Sequence, residues 1–229
     1  MASAVDIANL ALAHLGADAV VVALSPPDGS VESGHCARFL PIARRAALAD
    51  YDWSFARKRV DLAELVNDSS DWLYKYQLPA DCLRPRRVMA TATLGFPDKA
   101  GADYDVEGDA LYTNQSTAAL LYTRDVTDTT KYPADFVTGL AMVIAGYLAG
   151  PIIKGTEGIK IGDAWMQRGT AALRQATVSD ANASMDTTNV VLRSGAHPMV
   201  TGEPGTRSAA ILDGILDNIA NAVWNKTLP

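Results

Sequence analysis

The chain has 229 residues, of which 48% are hydrophobic, 20% charged and 7% aromatic, with a mass of 24.3 kDa and a pI near 5.0. That apolar share belongs to a globular protein with a sizeable core, and the length admits one large domain or two small ones. Twenty Lys and Arg against 26 Asp and Glu leave a net charge of −6. This argues against tight sequence-independent binding to duplex DNA, which is driven by basic side chains displacing counterions from phosphate.

Residues 3–15 place Val5, Ile7, Ala8, Leu10, Ala11, Leu12 and Leu15 at helical spacing, with Ser3 as N-cap and Gly16 as stop. Nothing basic precedes these apolar residues and Asp6 lies among them, so no secretory signal is expected. Pro26, Pro27 and Gly29 break the pattern before residues 30–51 resume it through Cys36, Phe39, Leu40, Ala43, Ala47 and Leu48, with a kink expected at Pro41. Residues 53–124 change to short runs rich in Tyr, Val, Leu and Thr between Pro and Gly, which predicts strands and turns. The clearest is a hairpin over 104–114, with Tyr104 and Val106 alternating, a turn at 107–109 and Leu111 starting the return; a further strand is expected over 118–124.

Tyr132, Pro133 and Ala134 open the most apolar stretch, residues 137–153, read as a buried helix with no membrane role because it is shorter than the ~20 residues a span needs and holds Gly139, Gly146, Gly150 and Pro151. Residues 155–162 are expected to break the chain before an amphipathic helix through Trp165, Met166, Ala172, Leu173 and Ala176 that ends near Ser184. Residues 186–206 turn polar and predict an extended arm. Residues 208–224 then carry Ile211, Leu212, Ile215, Leu216, Ile219, Val223 and Trp224 on one helical face, which needs its own domain or a partner to bury it.

Motifs for chemistry are missing. The glycine cluster at 155–163 lacks the Gly-Lys-Ser/Thr ending of a phosphate loop, His14, His35 and His197 are scattered, and there is no Gly-x-Ser-x-Gly elbow. The carboxylates at 50–52 and 125–128 suit helix ends and turns. The expectation is therefore a non-enzyme with no catalytic residue, cofactor or metal. Cys36 and Cys82 lack any paired spacing and are expected as reduced, buried thiols. The basic clusters Arg44 with Arg45, Arg57 with Lys58 and Arg59, and Arg84 with Arg86 and Arg87 suit either ion pairs to neighbouring Asp and Glu or contacts to DNA phosphates. The aromatics beside them, Trp53, Phe55 and Trp72 among others, suit core or interface anchors.

The segments DYDWSFARKRVDL (50–62), WLYKYQLPADCLRPRRV (72–88), YDVEGDALYTN (104–114), LLYTRDVTD (120–128) and YPADF (132–136) together resemble the tail tubular protein A family. These are the head-to-tail adaptors, or gatekeeper rings, of short-tailed bacteriophages. The most specific combination is Trp-x-Phe-Ala after an amphipathic helix, followed by Tyr-x-Leu-Pro-x-Asp-Cys-Leu-Arg, and the resemblance runs from the first helix to about residue 180. Asp52 stands where the family pattern calls for a small or basic residue, and residues 186–229 match no family motif.

The resemblance implies a virion protein at the head-tail interface, made in the bacterial host cytoplasm. Twelve copies would form a ring between the portal protein and the tail nozzle, whose subunits are tail tubular protein B-like, and genomic DNA would pass through the lumen. It implies a helical bundle carrying a β-rich region, in agreement with the order read from the residues: an α+β, mainly α fold with a helical bundle (1–52 and 129–185) and an inserted antiparallel β region (53–128), to which the residues alone add an extended C-terminal arm ending in a helix (186–229). Portal docking then falls to Ile211, Leu212, Ile215, Leu216, Ile219, Val223 and Trp224, and a subunit or tail interface to Trp53, Phe55, Arg57, Arg59, Trp72, Arg84, Arg86 and Arg87. Twelve copies at −6 each carry −72, so DNA would pass loosely rather than be gripped. The alternative is a small nucleic-acid-binding accessory protein using the clusters at Arg57 to Arg59 and Arg84 to Arg87; an enzyme such as a cell-wall hydrolase has no candidate residues.

Overall fold

The computed structural model describes residues 2–18, 20–90 and 101–194. Among these the fold is α+β, with four helices and two antiparallel sheets. The chain divides into compact units at 1–187 and 188–229, and the described part of the second is a helical stretch, 188–194.

Helix α1 (Ala4–His14) starts on a capping box: Ser3 Oγ accepts from the Asp6 N–H and the Asp6 carboxylate accepts from the Ser3 N–H. It stops at Gly16, whose φ of 69° lets Gly16 N–H reach Ala13 O and Ala17 N–H reach Leu12 O, the paired bonds of a Schellman motif. Helix α2 (Val31–Asp50) is capped by Ser30, keeps Pro41 inside it, and buries Cys36, Leu40, Ala43, Ala47 and Leu48. Between α1 and α2, Asn9 holds Val21 through both its N–H and its C=O, while Asp28 accepts from the Val22 and Ser30 amides.

Helix α3 (Ala134–Ile153) is the centre of the helical part, burying Phe136, Leu140, Ile144 and Leu148 among α1 and α2. Its length and composition would suffice to cross a membrane, but here its apolar face is core. Helix α4 (Gly155–Ser194) returns along α3. Two expectations are corrected here. The expected break over 155–162 is the single residue Lys154, at φ 61°. Gly158 and Gly162 lie inside α4, buried where the helices meet: a Cβ on Gly162 would lie 3.0 Å from Gly146 O, and one on Gly169 would lie 2.7 Å from Val143 N. These glycines let two backbones touch rather than break a helix. Nor does α4 end near Ser184, because no Gly or Pro follows Gly169 until Gly195.

The seven strands among the described residues lie between α2 and α3. One sheet has the order β1 (Arg57–Asp61), β7 (Ala118–Arg124), β4 (Cys82–Ala90); the other runs β2 (Glu64–Leu65), β3 (Tyr74–Gln77), β6 (Ala110–Thr113), β5 (Tyr104–Glu107). In the β5–β6 hairpin Glu107 pairs with Ala110, so the turn is two residues, Gly108-Asp109, shorter than the expected 107–109. Gly108 takes φ 60° at the first turn position, as a type II′ turn requires.

The sheets are stitched at both margins. Leu62 donates to Ala118 O at the start of β7 while Ala63 O accepts from Gln77 of β3, and at the other margin Ala102 donates to Val88 O of β4 at 2.7 Å. The result is a partly open barrel around Tyr76, Val88, Leu111, Leu120 and Tyr122, separate from the helical core around Trp53, Phe136 and Leu140.

Candidate interaction surfaces

The residues of the basic and aromatic motifs converge on the joint between the helical part and the barrel. The α2 C-terminus leaves carbonyls without intrahelical donors, and β4 supplies them. Arg86 Nη2 donates to Ala49 O (3.0 Å) and Tyr51 O (2.6 Å) while its Nε donates to Thr123 Oγ1 of β7 (2.8 Å), and Arg84 Nη1 adds a bond to Ala49 O (3.3 Å). Half-burial lowers the Arg86 pKa, with desolvation the first cause. One turn earlier on α2, Arg44 forks onto the Asp125 carboxylate at the end of β7 (3.0 and 3.1 Å), with Arg45 Nε 3.8 Å from the same group.

A second network crosses the barrel. Lys58 bonds Asp81 at 2.9 Å, Tyr122 donates to the other Asp81 oxygen at 2.6 Å, and the Lys58 ammonium sits 5.8 Å from the Tyr122 ring centre. Burial alone would raise the Asp81 carboxyl, but the bonds from Tyr122 and Lys58 outweigh it and hold it below the usual value. Arg57 pairs with Asp52 at 3.0 Å.

Of the sequence-predicted interface residues, Trp53 and Phe55 pack against the helical core of their own chain. Trp53 is 2% exposed and donates its indole N–H to Ala47 O (2.9 Å), and Phe55 is half-buried beside it; both lie in one aromatic cluster with Tyr132 and Phe136. They anchor this chain's own core, because a 3-10 turn after α2 aims them inward. Arg57, Arg84 and Arg86 are engaged within the chain as above. Arg59 and Arg87 are exposed, with no ion pair among the described residues, and the Arg87 stem lies over Gly101. Trp72 is half-buried near the end of the β2–β3 connection, where its carbonyl accepts from Asn67, and it lies beside Leu73 at 68% exposure; Val66, in the same connection, is 92% exposed. Ile211, Leu212, Ile215, Leu216, Ile219, Val223 and Trp224 lie outside the described residues. Cys36 is buried, Cys82 half-buried, both are free, and burial pushes both thiols up to about 11.

Three further surfaces did not stand out in the sequence. A groove of about 280 Å³ opens between Trp53, Phe136 and Ala176, with Ser54 bonded to Asp180 at its rim. The outward face of α2 carries Val31, Arg38, Ile42 and Arg45, all exposed. Along β5 and its turn, Asp103, Asp105, Glu107 and Asp109 are exposed at every second position, and none has an ion pair among the described residues. Their alternation was visible in the sequence as a signal, but its lack of partners was not. No protein-family model matches the chain, and no curated protein matches it.

Proposed function

We propose that the chain is a structural virion protein, a head-to-tail adaptor that assembles as a twelve-fold ring between portal and tail nozzle and lets genomic DNA pass through its centre. The proposal rests on the ordered motifs that resemble the tail tubular protein A family. In this reading the apolar helix at 208–224 docks on the portal through Ile211, Leu212, Ile215, Leu216, Ile219, Val223 and Trp224 at the end of a C-terminal arm, and the body meets the nozzle.

The observation that favours it over the nucleic-acid reading is where the basic side chains go. Arg44, Arg57, Lys58, Arg84 and Arg86 are committed to carboxylates and carbonyls of their own chain, leaving Arg59 and Arg87 from the two clusters that would face phosphate. A chain of net charge −6 whose two clusters leave so few cations uncommitted has little counterion release to gain through them.

Light scattering on a sizing column, with the protein alone and mixed with the portal ring of its phage, tests the reading. The portal peak should gain the mass of about twelve copies, twelve being the family's stoichiometry. No co-migration, with the chain monomeric throughout, would overturn it. A salt-sensitive shift of duplex DNA at about 50 mM salt, where such contacts are strongest, would favour the accessory-protein alternative instead.

A further inference from the structure

We propose that the outward face of α2 around Arg38, Ile42 and Arg45 docks on the acidic β5–β6 hairpin of a second copy of this chain. This rests on the ring reading and supplies its copy-to-copy contact.

The α2 face is built for contact, and among the described residues its one ion pair is the long reach of Arg45 to Asp125. Buried α2 residues point to α3, yet the opposite side carries Val31 at 70% and Ile42 at 52% exposure. Beside them, Arg38 has no ion-pair partner among the described residues. Arg45 reaches only an Asp125 carboxylate that Arg44 already holds in a fork. An exposed helix face with two weakly used guanidinium groups around a bare Ile is an anchor pattern for an acidic partner.

The hairpin is the complementary surface. Asp103, Asp105, Glu107 and Asp109 place four exposed carboxylates within seven residues, and none forms an ion pair among the described residues. The spans match: Arg38 and Arg45, two helical turns apart, are separated by about 10 Å along the axis, and Asp105 and Glu107 by about 7 Å along the strand. Flexible arginine side chains cover the difference.

Among the described residues the two surfaces form no ion pair with one another. α2 touches the barrel through β4 and β7, whereas the hairpin belongs to the other sheet, at its β5 margin. A contact between two different patches of identical chains is heterologous, and it closes into a ring when its rotation divides a full turn.

The test uses the full chain with two charge reversals, Arg38→Glu with Arg45→Glu, and Asp105→Lys with Glu107→Lys, and it reads assembly by light scattering at about 50 mM salt, alone and with the portal ring. Each reversed chain, folded by circular dichroism, should assemble at least about tenfold more weakly than the unaltered chain. An equal mixture of the two should restore assembly, because alternating copies put opposite charges back at every contact. Either reversed chain assembling as the unaltered one does, or a mixture that fails to restore assembly, overturns the inference while the ring reading stands. An unaltered chain that never forms a multi-copy species, alone or on the portal, is a failure of the ring reading itself.

Discussion

Arg86 shows how one side chain can hold two structural layers together. Its guanidinium caps the α2 C-terminus and grips Thr123 in β7 with three directed bonds, and a planar fork makes such an arrangement where a point-like ammonium cannot. Arg86→Met should cost about 1 to 2 kcal/mol, kept at that level because water reaches the orphaned carbonyls and Arg84 still serves Ala49; Arg86→Lys should recover only part of it in urea denaturation. Tyr132 is the second such residue. Its hydroxyl donates to Val126 O inside the core, and burial pushes its pKa up to about 12. A phenol whose folded pKa lies above the unfolded value of about 10 stabilises the fold fully below pH 10. That contribution is lost as the pH rises from there to 12. Tyr132→Phe should therefore cost about 1 to 3 kcal/mol at neutral pH, by orphaning the Val126 carbonyl, and should flatten the alkaline decline seen in urea midpoints. A shallower decline should remain, since Tyr76 and Tyr122 are also raised by burial.

Between elements, small residues decide how close two helices come. Gly169 faces Val143 so tightly that a Cβ would sit 2.7 Å from backbone N, whereas a Cβ on Gly34 in α2 would meet nothing within 4 Å. The same substitution should thus change stability in opposite directions. Gly34→Ala should gain up to about 1 kcal/mol from helix propensity and unfolded-state entropy. Gly169→Ala gains the same propensity but forces the α3–α4 seam apart, an overpacking cost of about 1 to 3 kcal/mol or more. Thermal unfolding should raise Tm by about 2 to 4 °C for the first and lower it for the second. The seam also explains which elements the sequence made legible. Local signals carried α1, with Ser3 and Gly16 at its ends, the start of α2 at Ser30, the opening of α3 after Pro133, and the β5–β6 hairpin around Gly108. Glycine in residues 155–162 is locally a breaker, and only the backbone of α3 lying against it makes it a contact residue. For the same reason the joint was hidden: Arg86 serves carbonyls 35 and 37 residues away, a pairing with no trace in local spacing. Trp53 and Phe55 were legible as core or interface anchors, and spacing alone did not separate the two.

At the scale of the whole molecule, both described hydrophobic clusters close within residues 1–187, so the body has its own source of stability. The sequence at 208–224 is a separate matter: its seven apolar residues at helical spacing follow a polar stretch, a pattern that predicts an apolar face for a partner to bury. In the proposed adaptor reading, tethering such a face to a ring contact multiplies the two affinities through effective concentration, so losing it should release the ring from the portal even though each body contact remains. Ile215→Asp and Trp224→Asp each put a carboxylate on that face, which costs several kcal/mol if the position is desolvated in the complex and almost nothing if it meets water. Both variants should keep the denaturation midpoint of the unaltered protein, to within about 0.5 kcal/mol as surface substitutions do, while co-migration with the portal ring is lost on a sizing column. A lowered midpoint would instead place the helix in the core of its own chain, and an unchanged midpoint with full co-migration would move the portal contact to the body.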